Sequence, residues 1–168
     1  MRYLYLLRHA KSLWNDPTLG DFERPLSDRG LRDAQKIARH LQHVKPPIEM
    51  VLCSSAIRTT QTLDALRSVL KSKTDIFIED LLYTFDASEV LERVKKVPPD
   101  IKCVLVIGHN PAIQNLAFQL TSPGSLRQKI ATKYPTAALA AIELRNRTWD
   151  ISEPIISKST FVTPADLD

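Results

Sequence analysis

Short apolar runs alternate along this chain with longer segments in which apolar residues recur at helical spacing. Four runs have the length of β-strands, at residues 2–7, 49–53, 75–78 and 102–108. The helical segments follow potential N-caps, which are Ser27, Ser54 or Ser55, Ser88 and Asn110. Strands that alternate with helices predict an α/β fold, a three-layer α/β/α sandwich around a mostly parallel central sheet.

The C-terminal third departs from this alternation. Residues 137–144 and 148–151 are predicted as two strands joined by the polar turn 145–147, which makes one part of the sheet antiparallel. From about Ile155 the periodicity is lost, so residues 155–168 are predicted as a surface tail. No internal repeat divides the chain, and its 168 residues fit a single domain over 1–168.

Glycine is scarce in this sequence, with only four residues, Gly20, Gly30, Gly108 and Gly124. No two of them lie close together. A Walker loop and a dinucleotide fingerprint both need clustered glycines to bring backbone amides against phosphate, so the sequence excludes both motifs. A phosphate site in this chain must therefore be built mostly from side chains.

The composition is that of a soluble globular protein, with 43% hydrophobic and 25% charged residues. The net charge of +4 favours anionic ligands but is too small to indicate a nucleic acid partner. No apolar run approaches the length of a membrane span or a signal-peptide core, and two cysteines are too few for a disulfide framework. We therefore expect a cytoplasmic protein without a membrane partner.

Arginine and histidine follow the ends of three predicted strands. Arg8 and His9 follow the first strand, Arg58 lies in the first helical turn after the second, and His109 follows the most apolar one. In an open parallel sheet the carboxyl ends of the strands lie at one edge, where ligands bind. We therefore expect these four side chains to converge there.

These residue types suit the chemistry of a phosphoryl group. Arginine offers a planar fork of donors that matches phosphate oxygens, and two arginines nearly neutralise a group with roughly −1.5 to −2 charge. A neutral imidazole can attack phosphorus to form a phosphohistidine, and a protonated second histidine would stabilise the transition state. No metal is needed. A two-histidine metal site is the weaker alternative, because neighbouring arginines would repel a cation.

Three blocks of sequence carry a resemblance to a known family: Leu-Arg-His-Ala-Lys-Ser at 7–12, Ser-Ser-Ala-Ile-Arg-Thr-Thr-Gln-Thr at 54–62, and Val-Ile-Gly-His-Asn-Pro at 106–111. Two further blocks, 23–30 and 133–138, extend the match. With these motifs the chain resembles the histidine phosphatase superfamily, whose fold is phosphoglycerate mutase-like. It looks most like the short SixA-type phosphohistidine phosphatase branch.

The resemblance implies His9 as the nucleophile that becomes phosphorylated, with Arg8, Arg58 and His109 completing the phosphate pocket. It also implies two further phosphate contacts, Ser12 and Asn15. We expect no cofactor and no metal at this site.

One family feature is absent. Larger relatives that cleave phosphate esters carry a glutamate as proton donor. In the corresponding stretch here, 79–86, the aligned position falls near Leu82 or Tyr83, neither of which is a carboxylate. Asp80 and Asp86 are the nearest acids, and both are also explained as solvated loop residues. A sugar or glycerate alkoxide needs such an acid, whereas the phosphorus–nitrogen bond of phosphohistidine is labile.

The sequence therefore favours a metal-independent phosphatase that acts on phosphohistidine of a partner protein. The chain between Arg58 and His109 has no room for an insertion that would enclose a small metabolite. Two alternatives stay open at this point: a phosphatase of a small phosphomonoester, and a non-catalytic module that binds phosphate or a phosphoprotein.

Overall fold

The protein is described by a computed structural model that covers all 168 residues. Six strands form one sheet: β1 (Arg2–Arg8), β2 (Met50–Ser54), β3 (Asp75–Glu79), β4 (Cys103–Gly108), β5 (Leu139–Leu144) and β6 (Ile156–Val162). Five helices accompany them: α1 (Asp28–Leu41), α2 (Ile57–Leu66), α3 (Ala87–Lys95), α4 (Ala112–Gln119) and α5 (Ser125–Thr132). Short 3-10 turns lie at Asp21–Glu23, Arg67–Val69, Asp80–Leu82 and Pro164–Leu167.

The strand order across the sheet is β3-β2-β4-β1-β5-β6. The pairs β3-β2, β2-β4 and β4-β1 are parallel, and β1-β5 and β5-β6 are antiparallel. The carboxyl ends of β1, β2 and β4 therefore lie side by side at one edge, as predicted.

Helices cover both faces of this sheet. Side chains alternate along β1 and β4, so that Leu4 and Val106 belong to the core under α3, α4 and α5. Their neighbours Leu7 and Leu105 point to the other face and belong to the core under α1 and α2. The predicted three-layer α/β/α sandwich is confirmed.

The C-terminal region differs from its prediction. Residues 148–151 form no strand, because Trp149 and Ile151 are buried against the core and the Trp149 Nε1 donates to the Ile101 carbonyl oxygen at 2.7 Å. The predicted surface tail instead contains β6, which pairs with β5 over its whole length. Because β6 is an edge strand with mostly polar residues, it has little of the apolar alternation that marks a strand.

The helix starts also differ in detail. Ser27 caps α1 as predicted, since its side chain accepts from the Gly30 N–H at 3.0 Å. Asp86 rather than Ser88 caps α3, and its carboxylate accepts from the Ser88 N–H. The helices α2 and α4 begin after Ala56 and Pro111, neither of which caps its helix with a side chain, but the Asn110 Oδ1 accepts from the Gln114 N–H in the first turn of α4 at 3.3 Å.

None of the five helices combines the length and the apolar character that crossing a bilayer requires.

Candidate active site

The four side chains that were expected to converge do line one pocket, at the carboxyl edge of the sheet. The pocket has a volume of about 260 Å³ and holds Arg8, His9, Arg58 and His109. The ring centroids of the two histidines are 5.3 Å apart. The other lining residues are Lys11, Ser12, Trp14, Asp21, Arg24, Phe85, Asn110 and Thr136.

His9 is held in the form that a nucleophile requires. Its Nδ1 lies 2.7 Å from the carbonyl oxygen of Ala10, which can only accept, so Nδ1 carries the proton. The Nε2 atom then keeps its lone pair and accepts from Arg58 Nε at 3.2 Å. Burial lowers the pKa of His9 to about 3, and His109 and Arg58 act in the same direction against the Ala10 carbonyl. The imidazole is therefore neutral at pH 7.

Arg58 is the second residue of α2 and is 2% exposed. A cation at a helix N-terminus opposes the helix dipole, so its position needs anionic partners. Asp21 provides them: Arg58 Nη1 donates to the Asp21 carbonyl oxygen at 2.7 Å and Nη2 to the carboxylate at 2.9 Å. All three donor nitrogens of the guanidinium are thus aimed at His9 or Asp21.

His109 is fixed by Ser54, whose hydroxyl shares a 2.7 Å hydrogen bond with Nε2. The other ring nitrogen, Nδ1, is buried and has no hydrogen-bond partner within the protein. Burial and the charge of Arg58 lower the pKa of His109 to about 3. His109 is therefore neutral at pH 7, whereas the stabilising role that the sequence suggests for it requires the protonated form.

Arg8 is anchored by one nitrogen, since its Nη1 donates to the Tyr134 carbonyl oxygen at 3.0 Å. Its Nε is buried without a partner, like His109 Nδ1. Buried polar atoms are nearly always paired in folded proteins. Arg8 and His109 both line the pocket and each has one unpaired nitrogen. This pattern is typical of a site where a polar ligand supplies the missing hydrogen bonds.

Two functional candidates in the pocket, Asp21 and Arg24, were not recognised in the sequence. The Asp21 carboxylate accepts from Arg58, from Arg24 at 2.9 Å and from the Tyr83 hydroxyl. Burial alone would raise the pKa of Asp21, but hydrogen bonds from Tyr83, Arg24 and Arg58 hold it well below its usual range. Asp21 is therefore ionised and offers no proton to a leaving group.

No sequence signal distinguishes Asp21 from the other acids of its loop, Asp16 and Glu23. Arg24 lies in a block that resembles the family, but nothing in its spacing assigned it a role. Its guanidinium is buried, donates to Ser12 Oγ at 2.6 Å and stacks on the Trp14 ring at 3.4 Å from the centroid.

The remaining predicted site residues are placed as follows. Ser12 lines the pocket and accepts from Arg24. Asn15 is exposed on the same loop and does not line the pocket. Asp80 accepts from the Ser55 hydroxyl, and Asp86 caps α3, so neither carboxylate reaches the pocket.

The charge of the pocket matches an anion. Four cations line it, Arg8, Lys11, Arg24 and Arg58, against the single carboxylate of Asp21. The donors are side chains rather than a glycine-rich backbone, as the scarcity of glycine required. No group of three His, Cys, Asp or Glu side chains is arranged to hold a metal ion.

Comparison with known proteins identifies the family. The model of the histidine phosphatase superfamily, branch 1, matches residues 4–86. An uncharacterized protein of Mycobacterium tuberculosis is 30% identical over an alignment of 162 positions that covers 94% of this chain and 99% of that relative. The chain belongs to the histidine phosphatase superfamily. A second uncharacterized relative, from Mycobacterium leprae, is 31% identical over 84% of this chain and 89% of its own length.

Solved structures place this histidine phosphatase in the SixA-type branch. A provisionally assigned phosphohistidine phosphatase SixA from Nakamurella multipartitia is 28% identical with a TM-score of 0.79, over 95% of both chains. A protein with the same provisional assignment from Agrobacterium tumefaciens is 27% identical with a TM-score of 0.80, over 97% of this chain and 98% of that one. The phosphoglycerate mutase-like fold predicted from the sequence is confirmed.

Proposed function

We propose that this protein hydrolyses phosphohistidine on a partner protein through a covalent phospho-His9 intermediate, without a metal. The observation that carries the proposal is the state of His9. Its unprotonated Nε2 faces Arg58 inside a cationic pocket, while Nδ1 is held by the Ala10 carbonyl. The SixA-type neighbours support the same substrate class.

In the proposed first step, Arg8 and Arg58 bind the phosphoryl oxygens, the Arg58 Nε–H leaves the lone pair of His9 Nε2 for a phosphoryl oxygen, and His9 Nε2 attacks phosphorus. The bond from phosphorus to the substrate imidazole breaks, and the leaving nitrogen takes a proton from water. In the second step, water attacks phosphorus, the bond to His9 Nε2 breaks, and inorganic phosphate leaves. The proton released by that water restores the proton balance, and His9 returns to its neutral form.

The absence of a protonated carboxyl group among the pocket residues supports phosphohistidine over a phosphate ester of an alcohol. Asp21 is the only carboxylate that lines the pocket, and it is ionised. General acid catalysis contributes typically 10²–10⁴-fold, which an alkoxide leaving group needs and an imidazole does not. Asp80 and Asp86 are engaged with Ser55 and with the start of α3.

The test compares turnover of a phosphohistidine peptide with that of p-nitrophenyl phosphate, for the wild type, His9→Ala and a control, His43→Ala. His43 is exposed and lies beyond the end of α1, away from the pocket. We expect the peptide to have the higher kcat/KM. We also expect His9→Ala to lose at least ~10³-fold in rate, because the nucleophile is removed, and His43→Ala to be unchanged.

Trapping of the intermediate separates the alternatives. Wild-type enzyme quenched during turnover should carry an acid-labile, base-stable phosphoryl group that His9→Ala lacks. A preference for p-nitrophenyl phosphate would instead favour a phosphatase of small phosphomonoesters. Binding without turnover, unchanged in His9→Ala, would indicate a phosphate-binding module.

A further inference from the structure

A second, larger groove lies beside the active-site pocket. It has a volume of about 560 Å³, in the range that accommodates a ligand of several side chains. Its walls come from the first turns of α1, from the end of α5, and from the segment that follows β6. Thr136 lines both this groove and the pocket that holds His9, so the two are adjacent.

The groove carries an excess of positive charge. Three cations line it, Arg29, Lys129 and Lys133, against one carboxylate, Asp33. Asp33 is buried and is already committed to Arg29 at 3.6 Å and to Lys36 at 3.9 Å.

Lys129 and Lys133 are both exposed, and neither forms an ion pair within the chain. The nearby carboxylate of Asp166 accepts from the backbone and hydroxyl of Thr163. The Lys133 ammonium forms no ion pair or hydrogen bond within the chain, and the Lys129 ammonium lies 5.8 Å from the centroid of the Phe161 ring and near the Asp166 carboxylate, so both can still meet an external anion.

We propose that this groove binds an acidic segment of the phosphoprotein substrate, next to the phosphohistidine that enters the pocket. The proposal rests on the proposed function and names the partner that the site selects. Two features favour a protein over a small anion: the groove is wider than one anionic group needs, and the pocket rim carries the exposed aromatic rings of Trp14 and Phe85. Complementary charge would steer such a partner and fix its register.

The test uses two synthetic phosphohistidine peptides of one sequence, with four glutamates or four glutamines beside the phosphohistidine. Phosphoimidazole, which is too small to reach the groove, reports the basal chemistry. The variant is Lys129→Glu with Lys133→Glu. The matched control is Lys71→Glu with Lys73→Glu, which makes the same charge change on exposed residues before β3, at the opposite edge of the sheet.

We expect the wild type and the control variant to prefer the glutamate peptide by about tenfold in kcat/KM at low ionic strength, and to lose this preference in ~0.5 M salt. In the groove variant the preference should fall to about one or reverse. Its turnover of phosphoimidazole should match the wild type, which shows that the variant is folded and that its active site is intact.

A wild-type preference near one, or equal loss in both variants, would overturn the groove proposal. If neither peptide is hydrolysed, the proposed function fails instead. The groove proposal is then tested separately by measuring the binding of a labelled, unphosphorylated glutamate peptide with fluorescence anisotropy. Binding there that only Lys129→Glu with Lys133→Glu abolishes supports the groove. Binding that both variants weaken alike, or stronger binding of anionic vesicles than of peptide, contradicts it.

Discussion

At the scale of single residues, the notable contact is the one between Asp21 and Arg58. Two of the three donor nitrogens of Arg58 are engaged by the backbone and carboxylate of Asp21. A phosphoryl group that binds Arg58 therefore meets a fixed negative charge at the same guanidinium. Like charges at one site repel, so Asp21 should set a limit on how tightly the pocket holds phosphate.

Replacing Asp21 with asparagine should tighten the binding of inorganic phosphate. Asparagine keeps an oxygen for Arg58 but removes the charge, and we expect Kd to fall about fivefold, or about 1 kcal/mol. Isothermal titration calorimetry with inorganic phosphate measures this Kd. Asp16→Asn is the control, because Asp16 lies on the same loop and its carboxylate contacts only Thr18. Weaker binding in Asp21→Asn would mean that Asp21 chiefly holds Arg58 in position.

Sequence reasoning reached Arg8, His9, Arg58 and His109 because each lies at the end of, or within four residues after, a strand that the apolar pattern already marks. Asp21 could not be found in the same way. It reaches the pocket through a loop between β1 and α1 whose path depends on tertiary contacts, such as the stacking of Arg24 on Trp14. The protonation state of His109 could not be read from the sequence either, because burial, which depends on the whole fold, lowers its pKa.

At the scale of elements, the approach of α1 to the loop after His9 is very close. A Cβ atom at Gly30 would lie 2.0 Å from the Lys11 carbonyl oxygen. That carbonyl also accepts from the Ser27 N–H at 2.9 Å, so it cannot move without loss of a backbone hydrogen bond. Gly30 thus allows the start of α1 to pack against the segment that contains His9.

Gly30→Ala should therefore destabilise the protein, although alanine is favoured over glycine inside a helix by about 1 kcal/mol. We expect a loss of ~1–3 kcal/mol in the free energy of unfolding, as in overpacked cores, measured by urea denaturation. In Gly20→Ala the added Cβ would meet only the flexible side chain of Glu23, so its stability should change by less than about 0.5 kcal/mol. Equal stability of the two variants would contradict this packing.

The predictability of a strand follows the apolar pattern of its residues. The strands β1, β2 and β4 are predicted because they are the central strands and their apolar runs are buried on both faces. The edge strand β6 escaped prediction because its outward residues are polar. The prediction of a strand at 148–151 was wrong because Trp149 is buried in the core without belonging to a strand.

At the scale of the whole molecule, buried neutral histidines make stability depend on pH. The unfolded chain binds protons at His9 and His109 near pH 6.5, whereas the folded chain binds them only near pH 3. Acid therefore favours the unfolded chain, and stability that is present above pH 6.5 is lost as the pH falls toward 3. The lowered pKa of His40, whose main cause is also burial, adds in the same direction.

We expect the urea midpoint to fall between pH 7 and pH 5, with each histidine contributing up to about 1.4 kcal/mol per pH unit. The double variant His9→Asn, His109→Gln should show a shallower slope, because it removes both sites of proton uptake and leaves His40 in place. Denaturation at pH 7, 6 and 5 measures both slopes. The same slope in both proteins would mean that these histidines do not govern the acid sensitivity.

The two tryptophans lie in different environments, so the fluorescence of each one reports on a different event. Trp14 is 72% exposed at the rim of the pocket and stacks on Arg24, whereas Trp149 is 1% exposed in the core. A ligand that draws Arg24 away from the indole would change the red-shifted emission of Trp14 and leave the blue-shifted emission of Trp149 as it was. Anion binding and unfolding can thus be followed at separate wavelengths in one unlabelled chain.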